Sequence, residues 1–402
     1  MNKKILASIA VVALLCVTLV SSTAFTSKEI TQTTDDAVSQ SEVDNVAMYW
    51  MEQSTSRFPT WDGAKLGTPV TYYSVENTSI PIAYEYTVLN GEKSVGHMIV
   101  SASKDLTPVL EFGEGHAPSS YLDNANKNAT EKGYITSNEA PLILYWGAAT
   151  YSVQFGEQMK KDRVAIHLPT GRLQKVPDTM RLQFDIEQAR VSWDTLSSSI
   201  ANKSGELLRD VTALIADAPA YHQGNDDNGY GDDGDGVTSY PSCVGTGIDF
   251  WDAWDGCSAI AGAMIHAYWD SHGYSGLPNG EDTLIDHNHH YMGTDDEGET
   301  WPTDIDNGIR DIFDVYGYGD DFDVNNNTGT DWNDIVTQIG YSYPAVMSFL
   351  GGDWGGHSTE LIGYAIESSV QYIIVHNTWD TTNDYFAYGN WTICQMTSVE
   401  EA

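Results

Sequence analysis

With 402 residues, 57 acidic side chains against 19 basic ones and a formal net charge of -38, the chain is too negative to take nucleic acid or an anionic membrane surface as a partner. It is long enough for two or three domains with proper cores. The charge is unevenly spread: residues 235–402 hold 28 acids and a single base, Arg310, whereas the first 234 residues hold the other 29 acids and 18 bases. Adaptation to salt, bound Ca²⁺ or a cationic partner would each account for this, and composition does not choose between them.

The N-terminus has the make-up of an export signal. Asn2-Lys3-Lys4 is a basic start, Ile5 to Val20 is apolar and uncharged, and Ser22-Thr23-Ala24 supplies small residues for cleavage. Residues 1–24 are therefore expected to be a signal peptide and the mature product to be secreted, with no membrane attachment after cleavage. No later stretch approaches the roughly 20 apolar residues of a membrane span. Residues 25–37 are rich in Thr and Ser and carry no pattern.

Residues 30–216 are expected to form a separate α+β domain. Val43, Val46, Ala47, Trp50 and Met51 fall at helical spacing. From about Thr68 to Phe112 the pattern turns to strands, with Ile80, Ile82, Tyr84, Tyr86 and Val88 alternating up to the hairpin signal Asn90-Gly91. Leu142 to Phe155 is an aromatic-rich apolar segment, Arg163 to Val176 predicts a hairpin turning at Thr170-Gly171, and Ser192 to Ala216 predicts a long amphipathic helix. This region holds no evident catalytic constellation. Residues 217–240, with the run from Gly224 to Gly236, are Gly/Asp-rich and predict a linker. The run also resembles Asp/Gly calcium loops, but the EF-hand spacing and its closing glutamate are absent. No cofactor or metal ligand set is therefore assigned, Ca²⁺ being the one ion the run would suit.

The remaining residues, 241–402, are organised around Trp254-Asp255-Gly256-Cys257-Ser258-Ala259-Ile260-Ala261-Gly262-Ala263-Met264-Ile265. A polar turn leads into an apolar, small-residue helix with a thiol at its start. Unpaired N–H groups and the positive end of the helix favour a thiolate there, although most lone cysteines merely fill a core. With Cys16 lost alongside the signal peptide, Cys243, Cys257 and Cys394 remain. An odd number in an exported protein means one disulfide and one free thiol, or pairing between molecules. Cys243 and Cys394 flank the region and are the expected pair, which leaves Cys257 free.

A nucleophilic Cys needs a base, and the base needs an orienting group. His266 lies nine residues along the helix, about 900° of rotation, and so faces away from Cys257. His287, His289 and His290 stand among Asp and Asn and suit an exposed loop better than a metal site. His357 follows the Gly-rich turn Gly351-Gly352-Asp353-Trp354-Gly355-Gly356 and opens an apolar run through Leu361-Ile362-Gly363-Tyr364. A second run, Tyr372-Ile373-Ile374-Val375, ends in His376-Asn377-Thr378-Trp379-Asp380. Two strands joined at Glu367-Ser368-Ser369-Val370 would bring His357 close to Asn377 or Asp380, and hairpin register alone does not choose between them.

The order Cys257, His357, Gly363-Tyr364, Asn377-Thr378-Trp379 resembles papain-fold cysteine peptidases. Gly256-Cys257-Ser258 with its small-residue helix, Tyr268-Trp269-Asp270-Ser271-His272-Gly273-Tyr274, Met292-Gly293-Thr294 and Tyr388-Gly389-Asn390-Trp391 resemble the secreted C39-like peptidases, relatives of the double-glycine leader peptidases. The resemblance covers about residues 240–395. It implies an α+β papain-like domain, with the Cys on an N-terminal helix and the His and Asn on an antiparallel sheet. It also implies a catalytic set of Cys257 as nucleophile, His357 as base and acid, and Asn377 as the residue orienting the imidazole. The preceding domain resembles the propeptides of exported cysteine peptidases, which implies a latent precursor whose partners are a peptide or protein substrate and its own N-terminal domain. One departure stands out: papain-like enzymes place an oxyanion-donating Gln about six residues before the Cys, and Trp251 stands here. A transamidase or cell-wall amidase on the same triad, and a non-catalytic secreted binding module, are the competing readings.

Overall fold

The computed structural model describes residues 36–134, 140–176, 182, 184–202, 209–222, 255–278, 280–295, 298–350, 356–391 and 393–402. The expected signal peptide, the Gly/Asp-rich run, Cys243 and Trp251 lie outside the described residues. Among those described, no helix is long and apolar enough to cross a membrane.

The architecture is α+β, with a large mixed sheet and helices packed against it. In the N-terminal region the strands are β1 (Lys65–Leu66), β2 (Val70–Tyr73), β3 (Pro81–Asn90), β4 (Lys93–Ser101), β5 (Val109–Gly113), β6 (Leu142–Tyr145), β7 (Tyr151–Gln154), β8 (Val164–His167), β9 (Leu173–Lys175) and β10 (Arg209–Leu214). In the C-terminal region they are β11 (Phe322–Thr328), β12 (Ala345–Leu350), β13 (Gly356–Glu367), β14 (Val370–His376), β15 (Asn383–Ala387) and β16 (Ile393–Glu401). The order across the sheet is β11-β16-β12-β13-β14-β15-β5-β4-β3-β2-β6-β7-β8-β9, with β1 beside β3 and β10 beside β13. Among the described residues, only the β2–β6 pairing is parallel.

The hairpins form where the turn residues dictate. β3 and β4 turn at Gly91-Glu92, just after Asn90, with Gly91 at φ 67°, and β8 and β9 turn at Thr170-Gly171 with Gly171 at φ 65°. β13 and β14 turn at Ser368-Ser369, both at positive φ (49° and 67°), the backbone twist that two-residue hairpins prefer.

The regions on either side of the expected linker share one sheet, and the cores on its two faces each draw residues from both regions. β5 pairs with β15, and β10 pairs with β13. The apolar run on β14 shows why. Ile373 and Val375 enter the core that contains the helix Cys257–Ser271, whereas Tyr372 and Ile374 enter the core beneath the helix Gln40–Gln53, where Trp50 lies 5.9 Å from the Tyr372 ring. A strand covered on both faces reads as a continuous apolar run rather than an alternation. Burying each such side chain is worth about 1.5–3 kcal/mol, as an upper estimate, and the N-terminal helices supply the cover on one face.

Two expectations are corrected. The helix expected to run from Ser192 to Ala216 spans Ile186–Asn202, and Arg209–Leu214 is a strand instead. There the open edge of β13 offers hydrogen bonds that outweigh the helical spacing; Gly363 suits this close approach, since a Cβ on it would meet the Ala213 carbonyl at 2.5 Å. The segment Leu142–Phe155 divides into β6 and β7 around a tight turn with Gly147 and Ala149 at positive φ. His287, His289 and His290 lie on the helix Glu281–Tyr291, with His287 and His289 buried, rather than in an exposed loop. Gly262 causes that packing: a Cβ there would meet Asn288 Oδ1 at 2.3 Å and Met292 Cε at 2.4 Å, so the two helices touch backbone to side chain.

Candidate active site

Cys257 opens the helix Cys257–Ser271, and Gly256 before it sits at φ 96°. A Cβ at Gly256 would come within 2.8 Å of the Gly298 carbonyl and 3.0 Å of Thr294 Cγ2. Glycine is required there by both conformation and space. The half-buried Cys257 presents its Sγ to β13, where the Ser358 N–H donates to it at 3.3 Å.

Behind this contact runs a chain of hydroxyls that the sequence reading did not single out. Ser258 Oγ lies 2.9 Å from Ser358 Oγ, which lies 2.8 Å from Ser348 Oγ, all three buried. The chain joins the start of the cysteine helix to β13 and β12. A signal was present in the sequence, since Cys257-Ser258 and His357-Ser358 are matching doublets. Each would put a hydroxyl directly behind a reactive group if the two met.

His357, one residue before Ser358, is buried and lies parallel to the Trp379 ring, with centroids 4.7 Å apart and 11° between planes. Its Nε2 donates to the main-chain carbonyl of Asn377 at 2.6 Å, and Thr378 Oγ1 lies 3.4 Å from the same nitrogen. That leaves Nδ1 as the nitrogen available for proton exchange with a thiol. Thr378 adopts φ 66° in the turn behind this carbonyl, a conformation that is uncommon for a β-branched residue.

Cys257, His357 and Asn377 thus all stand at one place, although the Asn377 contribution differs from that expected. Its side-chain oxygen accepts from the N–H groups of Trp379 (2.7 Å) and Asp380 (3.1 Å), and its Nδ2 donates to Asp384. The amide builds the turn, and the carbonyl orients the ring. Asp380, the other candidate, is engaged elsewhere. It accepts from the His116 N–H at 3.0 Å and from Thr382 N–H and Oγ1 at 2.9 and 2.5 Å. Burial pushes its carboxyl up, but the bonds from His116 and Thr382 outweigh this and hold it at about 2.

Burial moves the two side chains in opposite directions, each against its charged form. Burial raises the Cys257 thiol above its usual range, with the Ser358 and Ser258 hydrogen bonds pulling the other way. Burial lowers His357 to about 4, against a smaller upward effect of the Asn377 carbonyl. Part of that burial comes from the N-terminal region. The β8–β9 hairpin sets His167 against Trp379, with centroids 5.9 Å apart, and Arg172 against Glu299 at 2.9 Å. His167 is held down to about 3 by burial and then by the neighbouring His357 and Arg172. The hairpin therefore reaches from Trp379, stacked on His357, to the turn flanking Gly256.

The remaining expectations sort as follows. His266 is fully buried and shares its ring nitrogens with the Ile309 carbonyl (3.2 Å) and Asn288 Nδ2 (3.2 Å), away from the thiol. Cys394 is a buried thiol pushed up to about 12 by burial; its expected partner Cys243 lies outside the described residues. So does Trp251, at the position of the missing Gln. Among the described residues no group of three or more His, Cys, Asp or Glu side chains is arranged to hold a metal ion. Compared with known proteins, the chain matches no family model and none of the curated proteins.

Proposed function

We propose that the chain is an exported cysteine peptidase with a papain-like catalytic region of the C39-like kind, made as a latent precursor whose N-terminal region acts as a prodomain. The observation that carries this reading is the meeting of Cys257 with the His357-Ser358 strand, with His357 Nε2 fixed on the Asn377 carbonyl. A carbonyl acceptor fixes the tautomer that leaves Nδ1 free to take the thiol proton.

In the reaction, His357 removes the Cys257 proton as sulfur attacks the peptide carbonyl carbon. The tetrahedral intermediate collapses, the C–N bond breaks, and the imidazolium returns its proton to the leaving amine. Water then attacks the thioester, giving one proton to His357, and the expelled thiolate recovers it. The Cys257 N–H at the helix start is one donor to the oxyanion, and each such donor is typically worth about 10²–10³ in rate.

Latency is supported by the hairpin and by the direction in which burial moves both groups, the thiol up and the imidazole down. A thiol raised by burial beside an imidazole lowered to about 4 holds little thiolate. Removing the hairpin readmits water, lowers the desolvation cost and favours the ion pair. The test is mass-spectrometric iodoacetamide labelling of Cys257, with peptide hydrolysis followed in parallel, before and after limited proteolysis within residues 217–240. Cleavage should raise both rates together. Full activity in the uncut chain would refute latency, and absence of hydrolysis despite a freely labelled thiol would refute the peptidase reading.

A further inference from the structure

Resting on that reading, we infer that Glu299 selects substrates carrying an arginine or lysine next to the scissile bond, and that Arg172 occupies the same subsite in the intact chain. Glu299 ends a turn that touches the nucleophile's own cap. The Gly298 carbonyl would be 2.8 Å from a Cβ on Gly256, one residue before Cys257. The turn is braced from within. Gly298 N–H donates to the Asp295 carbonyl (2.9 Å), Glu299 N–H to Asp295 Oδ1 (2.8 Å) and Asp295 N–H to the Glu299 carbonyl (3.0 Å), while Thr294 and Thr300 share a hydroxyl bond at 2.8 Å. The backbone that carries the Glu299 side chain is thus held at a fixed place beside the start of the Cys257 helix.

Arg172 reaches that carboxylate from across the cleft. His167 and Arg172 stand opposite each other on the hairpin, the N–H of His167 donating to the Arg172 carbonyl at 2.8 Å. With His167 against Trp379 and Arg172 on Glu299, a short antiparallel segment spans the cleft and ends in a guanidinium on a carboxylate. An extended peptide running the same way would set a basic side chain there.

The C-terminal region has no cation of its own for Glu299. Its one base, Arg310, is used on the Val324 carbonyl, Asn307 and Asp306. Once the hairpin leaves, Glu299 is matched only by a cation the substrate brings. The Arg172–Glu299 pair is substantially exposed, at 31% and 60%, so it adds little to stability; its effect lies in selectivity.

The test uses the full chain carrying Arg172→Glu, which sets two carboxylates against each other and loosens the hairpin. Cys257 is labelled by peptidyl chloromethyl ketones identical except for Arg, Gln or Glu next to the reactive carbon. We expect the Arg probe to react at least tenfold faster than the Glu probe, and adding Glu299→Gln to abolish that preference, each rate being taken relative to iodoacetamide on the same variant. A preference unaffected by Glu299→Gln would overturn this inference and leave the peptidase reading standing. Failure of every peptidyl probe, with iodoacetamide still labelling Cys257, would overturn both.

Discussion

The two regions of the molecule bring different things to the cleft they share. Residues 255–402 hold the thiol, the imidazole and the hydroxyl chain, yet Arg310 is their only permanent cation. Residues 36–222 bring no reacting group and supply positive charge instead. Arg57 sits on Glu367, His116 on Asp380 and Arg172 on Glu299. The acidity of the C-terminal region, which composition leaves open between salt, Ca²⁺ and a cationic partner, is thus met in part from within the chain. What sets the regions apart is a division between chemistry and charge rather than a break in packing.

The largest expected effects lie on the chemical side. Cys257→Ala and His357→Ala should each lower peptide turnover by about 10⁴-fold or more, with melting temperatures no lower than that of the parent. Turnover surviving Cys257→Ala would dissolve the contrast altogether. On the charge side, Arg57→Met should cost about 3–5 kcal/mol in denaturant unfolding, because Glu367 is 1% exposed and would be left as an uncompensated buried carboxylate. Arg57 also lies over the Tyr385 ring at 4.5 Å, and the methionine keeps part of that packing. A cost below 1 kcal/mol would show that the N-terminal cation is incidental.

A finer test separates placement of the nucleophile from bulk stability. Ser358→Ala keeps the N–H that meets Cys257 but strands the hydroxyls of Ser258 and Ser348, at a cost of about 1–3 kcal/mol. It should also move the pH profile of Cys257 alkylation upward, and Ser358→Thr should restore the profile; an unmoved profile would make the hydroxyl chain purely structural. Smaller still, Asn377→Ala should lower turnover about tenfold, roughly 1.4 kcal/mol, since the carbonyl that orients His357 survives the loss of the amide. A loss as large as that for His357→Ala would return the orienting role to the side chain.

The last prediction sets the seam between the regions against the cleft. Glu111, on β5 at the seam, is raised to about 7 by burial, against hydrogen bonds from Tyr145, Tyr151 and Asn390. A carboxyl raised on folding stabilises below its unfolded value of 4.5 and loses that contribution as pH climbs towards 7. Asp384, across the seam, is raised in the same direction by burial and by Asp380. His357 and His167 behave oppositely. Depressed below 6.5, they contribute fully above that value and lose stability as pH falls to about 4 and 3. Hydrogen exchange should therefore show protection at β5–β15 falling from pH 5 to 7, and protection at the β8–β9 hairpin falling from pH 6 to 4. The same trend at both places would mean that a single global transition governs them.

Much of this arrangement was legible in the sequence because it depends on local signals. Asn90-Gly91 and Thr170-Gly171 mark turns by their tolerance of positive φ, and the helical spacing of Val43, Val46, Ala47, Trp50 and Met51 marks the buried face of the helix Gln40–Gln53. Asp255-Gly256-Cys257 likewise marks a helix start. What escaped depends on contacts made far along the chain. Arg209–Leu214 is a strand paired with the distant β13, and the helix carrying His287 packs closely on Cys257–Ser271 where Gly262 leaves room for Asn288 and Met292. Asn377 illustrates the same limit within the site. The residue and its neighbourhood could be named, but whether its amide or its carbonyl meets His357 depends on a turn closed by Asp384 and by the conformation of Thr378.

The joint between β5 and β15 spans only the pairs Asp384–Gly113, Tyr385–Phe112 and Phe386–Glu111. If the N-terminal region is cut away, β15 becomes a bare sheet edge with unpaired main-chain groups, the kind of surface that recruits strands from other molecules. Asp384 sits at one end of that joint, its carboxyl raised by burial and by the nearby Asp380. Once wetted it ionises, and a carboxylate on an open edge repels a second copy of the same strand. The residue that looks costly in the intact chain would then guard the processed one against aggregation.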